Sequence, residues 1–154
     1  LRWAVKPHFK IMTTVFLIPG KPQGKERPRF NAGTHTTYTP PRTKEYERTV
    51  KYSYLSAYPA GTGMHTGALK VTIYAVFTVP AKWTVGKKKL ARRNEIAPEN
   101  KPDCDNIAKA ILDALNGVAY KDDSQVAELV VKKRFGHKAF CTCRIESFMG
   151  EETT

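Results

Sequence analysis

Apolar positions recur along the chain with two different periods, and these outline a mixed set of strands and helices. Residues 13–18, TTVFLI, are β-branched and apolar and predict a first strand. The following stretch, IPGKPQGKERPRF, is broken by Pro19, Gly20, Pro22, Gly24 and Pro28 and predicts a loop. From residue 43 to about 58, Tyr46, Val50, Tyr54 and Leu55 recur near helical spacing, with Thr43 as a candidate N-cap. Residues 69–79 are dense in Val, Ile, Tyr, Phe and Thr and predict a strand central to a sheet. Thr84 is placed to cap a short basic helix. Residues 106–115 place Ile107, Ile111, Leu112 and Leu115 on one stripe, with Gly117 as a C-terminal stop. Two further strands, 126–135 and 139–148, meet at Gly136 and His137 in an expected hairpin. Strands and helices mixed in this order predict one α+β domain, a mixed sheet with helices packed on one side.

Composition narrows the function. The 154 residues are 41% hydrophobic, enough for one core and too few in number for two ordinary domains. Lys and Arg number 26 against 14 Asp and Glu, and the net charge of +12 points to a polyanionic partner, nucleic acid first. No stretch approaches the roughly 18 consecutive apolar residues of a membrane span, and residues 1–11 lack a secretory core. A cytoplasmic protein is expected, with residues 1–11 an upstream extension or an expression remnant and residues 12–154 the domain. Cys104, Cys141 and Cys143 are an odd set, and His8, His35, His65 and His137 are scattered singly, so structural thiols are favoured over a disulfide framework or zinc.

Acid is distributed very unevenly. All five aspartates, Asp103, Asp105, Asp113, Asp122 and Asp123, fall within residues 101–125, which hold three Lys and carry a net −2; residues 1–100 hold 18 Lys and Arg against five Glu, a net +13. Uncompensated carboxylates repel a phosphate ligand, so their concentration in a basic protein implies a cation between them. Mg²⁺ fits, because it takes hard oxygen ligands and completes its shell with water and phosphate. Each aspartate also has a plainer reading. Asp103 or Asp105 caps a helix, Asp105, Lys109 and Asp113 form an i, i+4 ion-pair ladder, and Asp122 with Asp123 makes a turn.

The run KPDCDNIAKAILDALNGVAYKDDSQV closely resembles the signature of the RusA-like Holliday junction resolvases, phage and prophage type. It joins D-x-D-N, a Lys four residues after the second Asp, D-A-L-N-G and D-D-x-Q at one continuous spacing, and FLIPGKPQGKERPRF with YTPPRTKEYE is similar to the family's N-terminal pattern. The resemblance spans about residues 15–148. It implies metal-binding and catalytic roles for Asp103, Asp105 and Asp123, and a catalytic role for Lys109, with Asn106 and Gln125 in support. Cys104 departs from the aliphatic residue usual between the two aspartates, and Asp113 and Asp122 have no assigned role.

The same resemblance implies Mg²⁺, with Mn²⁺ as a substitute, and a homodimer that nicks two opposed strands of a four-way DNA junction in recombination and repair. Lys21, Lys25, Arg27, Arg29 and the cluster Lys87, Lys88, Lys89, Arg92 and Arg93 are the candidate phosphate contacts. No G-x-x-x-x-G-K-[ST] sequence is present, which argues against a nucleotide cofactor. The alternatives are a branched-DNA-binding module without catalysis and a metal-dependent nuclease acting on flaps or RNA.

Overall fold

In the computed structural model, residues 11–150 are described. The readings of residues 1–10 and 151–154 lie outside them. The main sheet has four strands: β1, Thr13–Pro19; β4, Leu69–Thr78; β5, Val126–Gly136; and β6, Phe140–Ser147. A separate pair, β2 (Arg29–Asn31) and β3 (Thr36–Tyr38), forms a small antiparallel ribbon. The helices are α1, Pro41–Ala57; α2, Val85–Arg92; and α3, Cys104–Leu115, followed by a 3₁₀ turn at Asp123–Gln125.

Strand order in the main sheet is β1-β6-β4-β5, with β4 and β5 parallel and the other pairs antiparallel. The strand over residues 69–79 is thus central, as its composition implies. The expected β5–β6 hairpin is corrected: both strands pair with β4, which lies between them. Gly136 and His137 do reverse the chain, but β4 offers Val71, Ile73 and Ala75 to Leu129, Val131 and Lys133 on one flank and to Ile145, Cys143 and Cys141 on the other. Local turn chemistry fixes a reversal, whereas pairing is decided by which edge buries the most apolar surface. A parallel β4–β5 pair requires a long crossover, and α2, α3 and the 3₁₀ turn all belong to it.

The core lies between one sheet face and helices α1 and α3. Phe16 and Ile18 of β1, Val71 and Ile73 of β4, and Cys143 and Ile145 of β6 meet Tyr46, Val50 and Tyr54 of α1 and Ile107, Ile111 and Leu115 of α3. Tyr54 stands edge-on to Phe16 at 5.2 Å. On the opposite sheet face, Val15, Leu17 and Tyr74 remain 47%, 53% and 38% exposed. The edge strand β1 is blunted by the Tyr58 hydroxyl, which accepts from the Val15 N–H (2.9 Å) and donates to its carbonyl (3.2 Å).

Helix boundaries differ in two places from those expected. α1 begins at Pro41, whose missing N–H costs nothing at a first helical position, and Thr43 sits inside the first turn. Its hydroxyl instead accepts from Glu26 N at 3.2 Å, tying the basic loop to the helix. α3 begins at Cys104, two residues earlier than its apolar stripe indicates. Thr84 does cap α2, accepting from Lys87 N at 3.3 Å. No helix among the described residues is long and apolar enough to cross a membrane.

Candidate active site

The acidic residues are carried by α3 and by the 3₁₀ turn that packs against it. Asp103 is the N-cap residue of α3, and its carbonyl receives the Ile107 N–H at 3.0 Å, but its side chain makes no capping bond. The carboxylate is exposed, and a capping bond does not account for its position. Asp105 lies in the first turn, where a negative charge also meets the positive end of the helix dipole. Lys109 and Asp113 follow at successive turns of the same face. Ile107, Ile111 and Leu115 on the other face are fully buried, so the polar stripe rides on a rigid element.

The proposed ladder of Asp105, Lys109 and Asp113 is not the pairing observed. Among the described residues Lys109 has no carboxylate within salt-bridge distance, whereas Asp113 Oδ2 lies 3.1 Å from Lys25 Nζ. The same ammonium is 2.5 Å from Glu47 Oε1 of α1. Burial opposes the Lys25 charge, but the hydrogen bonds to Glu47 and Asp113 outweigh it and raise its pKa. Lys25 N also donates to the Asn106 carbonyl at 3.1 Å. Gly24 beside it admits close approach, since a Cβ there would meet the side chains of Pro102 at 3.0 Å and Asn106 at 3.2 Å. Lys25, one of the candidate phosphate contacts, thus has its ammonium clamped between α1 and α3 rather than on open surface.

A set of side-chain bonds holds Asp123. Its N–H donates to Asn116 Oδ1 at 2.8 Å. Asp122 caps the 3₁₀ turn by accepting from Ser124 N (3.0 Å), while Gln125 Oε1 accepts from Asp122 N (3.1 Å) in a capping box. Gln125 Nε2 reaches the carbonyls of His65 (3.3 Å) and Gly67 (3.1 Å), fixing the turn to the segment before β4. Behind it, Tyr120 is buried and its hydroxyl donates to the Leu112 carbonyl at 2.7 Å. The bond to Ser124 holds the Asp122 carboxyl below the usual carboxylate range. Partial burial raises the Asp123 carboxyl, reinforced by the negative charges of Asp113 and Asp122. The part of that shift due to neighbouring negative charge is one that a bound cation would relieve.

Among the described residues, no three carboxylate, imidazole or thiol side chains converge closely enough to form a closed metal cage. The donor set nevertheless suits Mg²⁺, which is commonly held by one or two carboxylates and takes its other ligands from water and substrate phosphate. The oxygens are hard, and the carboxylates of Asp103 and Asp105 are exposed.

The other basic residues lie on the surface. Lys21, Arg27 and Arg29 are exposed, as are Lys87, Lys89, Arg92 and Arg93, while Lys88 is half-buried. Lys87 Nζ stands 3.9 Å over the Trp83 ring, which meets Phe135 edge-on at 5.1 Å.

The Endodeoxyribonuclease RusA family model matches residues 19–146, a span that includes α3, the 3₁₀ turn and the basic loop. The chain belongs to the RusA endodeoxyribonuclease family. It is therefore an endonuclease, a hydrolase of phosphodiester bonds, and the RusA family acts on branched DNA junctions. It is also 30% identical over 125 residues to the uncharacterized protein YqaN of Bacillus subtilis (strain 168), a match that covers 80% of this chain and 88% of that protein. Sequence reasoning about this RusA-family chain did not assign Asn116, although D-A-L-N-G contains it, nor the pairing of Lys25 with Asp113. An amide seven residues before an aspartate has no periodic signature, and an ion pair across 88 positions has none either.

Proposed function

We propose that this chain resolves four-way DNA junctions by Mg²⁺-dependent paired nicking in recombination and repair, as a cytoplasmic homodimer. The observation that carries the reading is the Asp103 carboxylate, set at the start of a rigid helix without the capping bond that its position offers. Asp103, Asp105 and Asp123 are the carboxylates that would hold the ion, one or two directly and the rest through its bound waters, with Mn²⁺ as a substitute. Bound there, the metal supplies an activated water and neutralises charge developing on the phosphate.

The chain's own residues do the rest. Asn116 Oδ1 holds the Asp123 backbone N–H, and Lys25 keeps Asp113 anchored toward α1. Lys109, exposed one turn beyond Asp105, presents an ammonium that binds the scissile phosphate and stabilises its transition-state charge. Arg27, Arg29 and the α2 cations collect the flanking backbone. The sheet face bearing Val15, Leu17 and Tyr74 offers a second copy an apolar surface, and a closed two-fold pair would present two sites to two opposed strands. The free thiols Cys104, Cys141 and Cys143 suit a reducing compartment.

The test is cleavage of an end-labelled synthetic four-way junction in Mg²⁺, Mn²⁺, Ca²⁺ or chelator, by the parent protein and by Asp105→Asn. Paired nicks on opposed strands, lost by about 10³-fold in a variant that still binds the junction, are expected. A folded dimer that binds junctions yet never cuts them with either metal would refute the proposal, and faster cutting of flaps or RNA would redirect it.

A further inference from the structure

The β2–β3 ribbon is a part of the molecule that the basic-loop reading did not anticipate. All six of its strand residues are exposed. Arg29 pairs with Tyr38, Phe30 with Thr37 and Asn31 with Thr36. Neighbours along a strand face opposite ways, so Phe30 stands on one face of the ribbon and Arg29 with Tyr38 on the other. Phe30 is 62% exposed and Tyr38 is 42% exposed.

A lone two-stranded ribbon is marginal in water and gains little from apolar side chains that it leaves uncovered. Yet its tip is well organised. Asn31 Oδ1 accepts from Gly33 N (2.9 Å) and Thr34 N (3.3 Å), and His35 adopts the left-handed conformation at φ 53°. Its root is anchored as well. Gly24 and Lys25 lie against Asn106, Glu26 bonds to Thr43, and the far strand runs through Pro40 into α1. The ribbon therefore leaves the body beside the end of α3 that carries Asp103 and Asp105. Arg27, Arg29 and Arg42 are exposed along and below it.

We infer that this ribbon reads the branch point of the DNA, with Phe30 and Tyr38 stacking on bases exposed where strands exchange, and Arg27 and Arg29 holding the adjoining phosphates. The inference rests on the junction-cleaving reading above and adds the element that selects the substrate. In linear duplex every base is covered by its neighbours, so an aromatic ring finds no free face without unstacking a step. At a branch the stack is interrupted, and a ring gains a base face at lower cost. Carboxylates and a metal cannot make this distinction, because each phosphodiester presents the same group to them. The flanking arginines name nucleic acid, rather than a neutral protein surface, as the occupant.

The test compares the parent protein with Phe30→Ala, Phe30→Trp and Arg29→Gln in Ca²⁺. It measures affinity for a four-way junction and for linear duplex of the same sequence, with 2-aminopurine placed at the branch. Phe30→Ala is expected to lose about ten-fold in junction affinity while its duplex affinity stays within about two-fold, and to lose the 2-aminopurine response. Phe30→Trp is expected to recover both, and Arg29→Gln to weaken both substrates alike. An unchanged ratio of junction to duplex affinity in Phe30→Ala would overturn the inference. So would dissociation of a dimer by that variant, which would make the ribbon a contact between copies. A parent protein that binds junctions in preference to duplex but never cuts them refutes the junction-cleaving reading alone.

Discussion

Two short helices of the β4–β5 crossover, α2 and α3, face opposite demands. α3 buries seven of its twelve residues and holds carboxylates on the stripe that remains, while α2 buries Ala91 alone and displays lysines and arginines. A metal site requires ligands held within a few tenths of an ångström, so its carboxylates belong on a helix locked into the core. Backbone phosphates are diffuse, repeated targets, and long cationic side chains reach them even from a loosely seated helix. Under the proposed function, acid on α3 and base on α2 are assigned by tolerance of motion as much as by charge.

Truncating the cores of the two helices should separate them most. Ile111→Ala removes a fully buried side chain beneath the site and is expected to cost about 2–5 kcal/mol in urea unfolding. Leu90→Ala on α2, where the side chain is 40% exposed, is expected to cost under about 1 kcal/mol. Comparable losses would mean that α2 is as firmly seated as α3.

Charge removal should invert that ranking. Converting Lys87, Lys88 and Lys89 together to Gln is expected to leave stability within about 0.5 kcal/mol. The same change should lower the slope of log affinity against log salt by about 0.9 for each phosphate that these lysines neutralise in the parent protein. An unaltered slope in duplex titrations would remove α2 from the DNA-binding surface.

The smallest effect concerns the frame around the 3₁₀ turn. His65 is buried, its Nε2 is 2.8 Å from Thr14 Oγ1, and its carbonyl receives Gln125 Nε2. Burial lowers its pKa from 6.5, so the folded protein keeps the ring neutral where the unfolded chain protonates it. Its contribution is thus complete above about pH 6.5 and declines as pH falls through that value toward the folded pKa. Melting temperature is expected to drop a few degrees between pH 7 and pH 5, and less steeply in His65→Gln. Equal slopes in the two proteins would assign the acid sensitivity elsewhere.

Much of the fold was legible because it follows from periodicity. Runs of β-branched, apolar and aromatic residues identified β1 and β4, and the helical stripe of Ile107, Ile111 and Leu115 identified α3. The ribbon was not legible, since its three-residue strands lie beneath the Pro and Gly signals of a loop. Asn31-Ala-Gly33 between Phe30 and Tyr38 was its one local cue. Thr43 resembled a cap because cap chemistry is local, but Pro41 starts the helix earlier and frees that hydroxyl for Glu26.

The sequence by itself determined the class of elements, the concentration of acid within 101–125 and the family signature, all of which depend on residue identity and short spacing. Only the tertiary structure decided that β4 separates β5 from β6, that Lys25 bridges Glu47 and Asp113, and that Asn116 holds Asp123. These pairings join residues distant along the chain, and they are selected by burial and hydrogen-bond satisfaction across the whole core rather than by any local pattern.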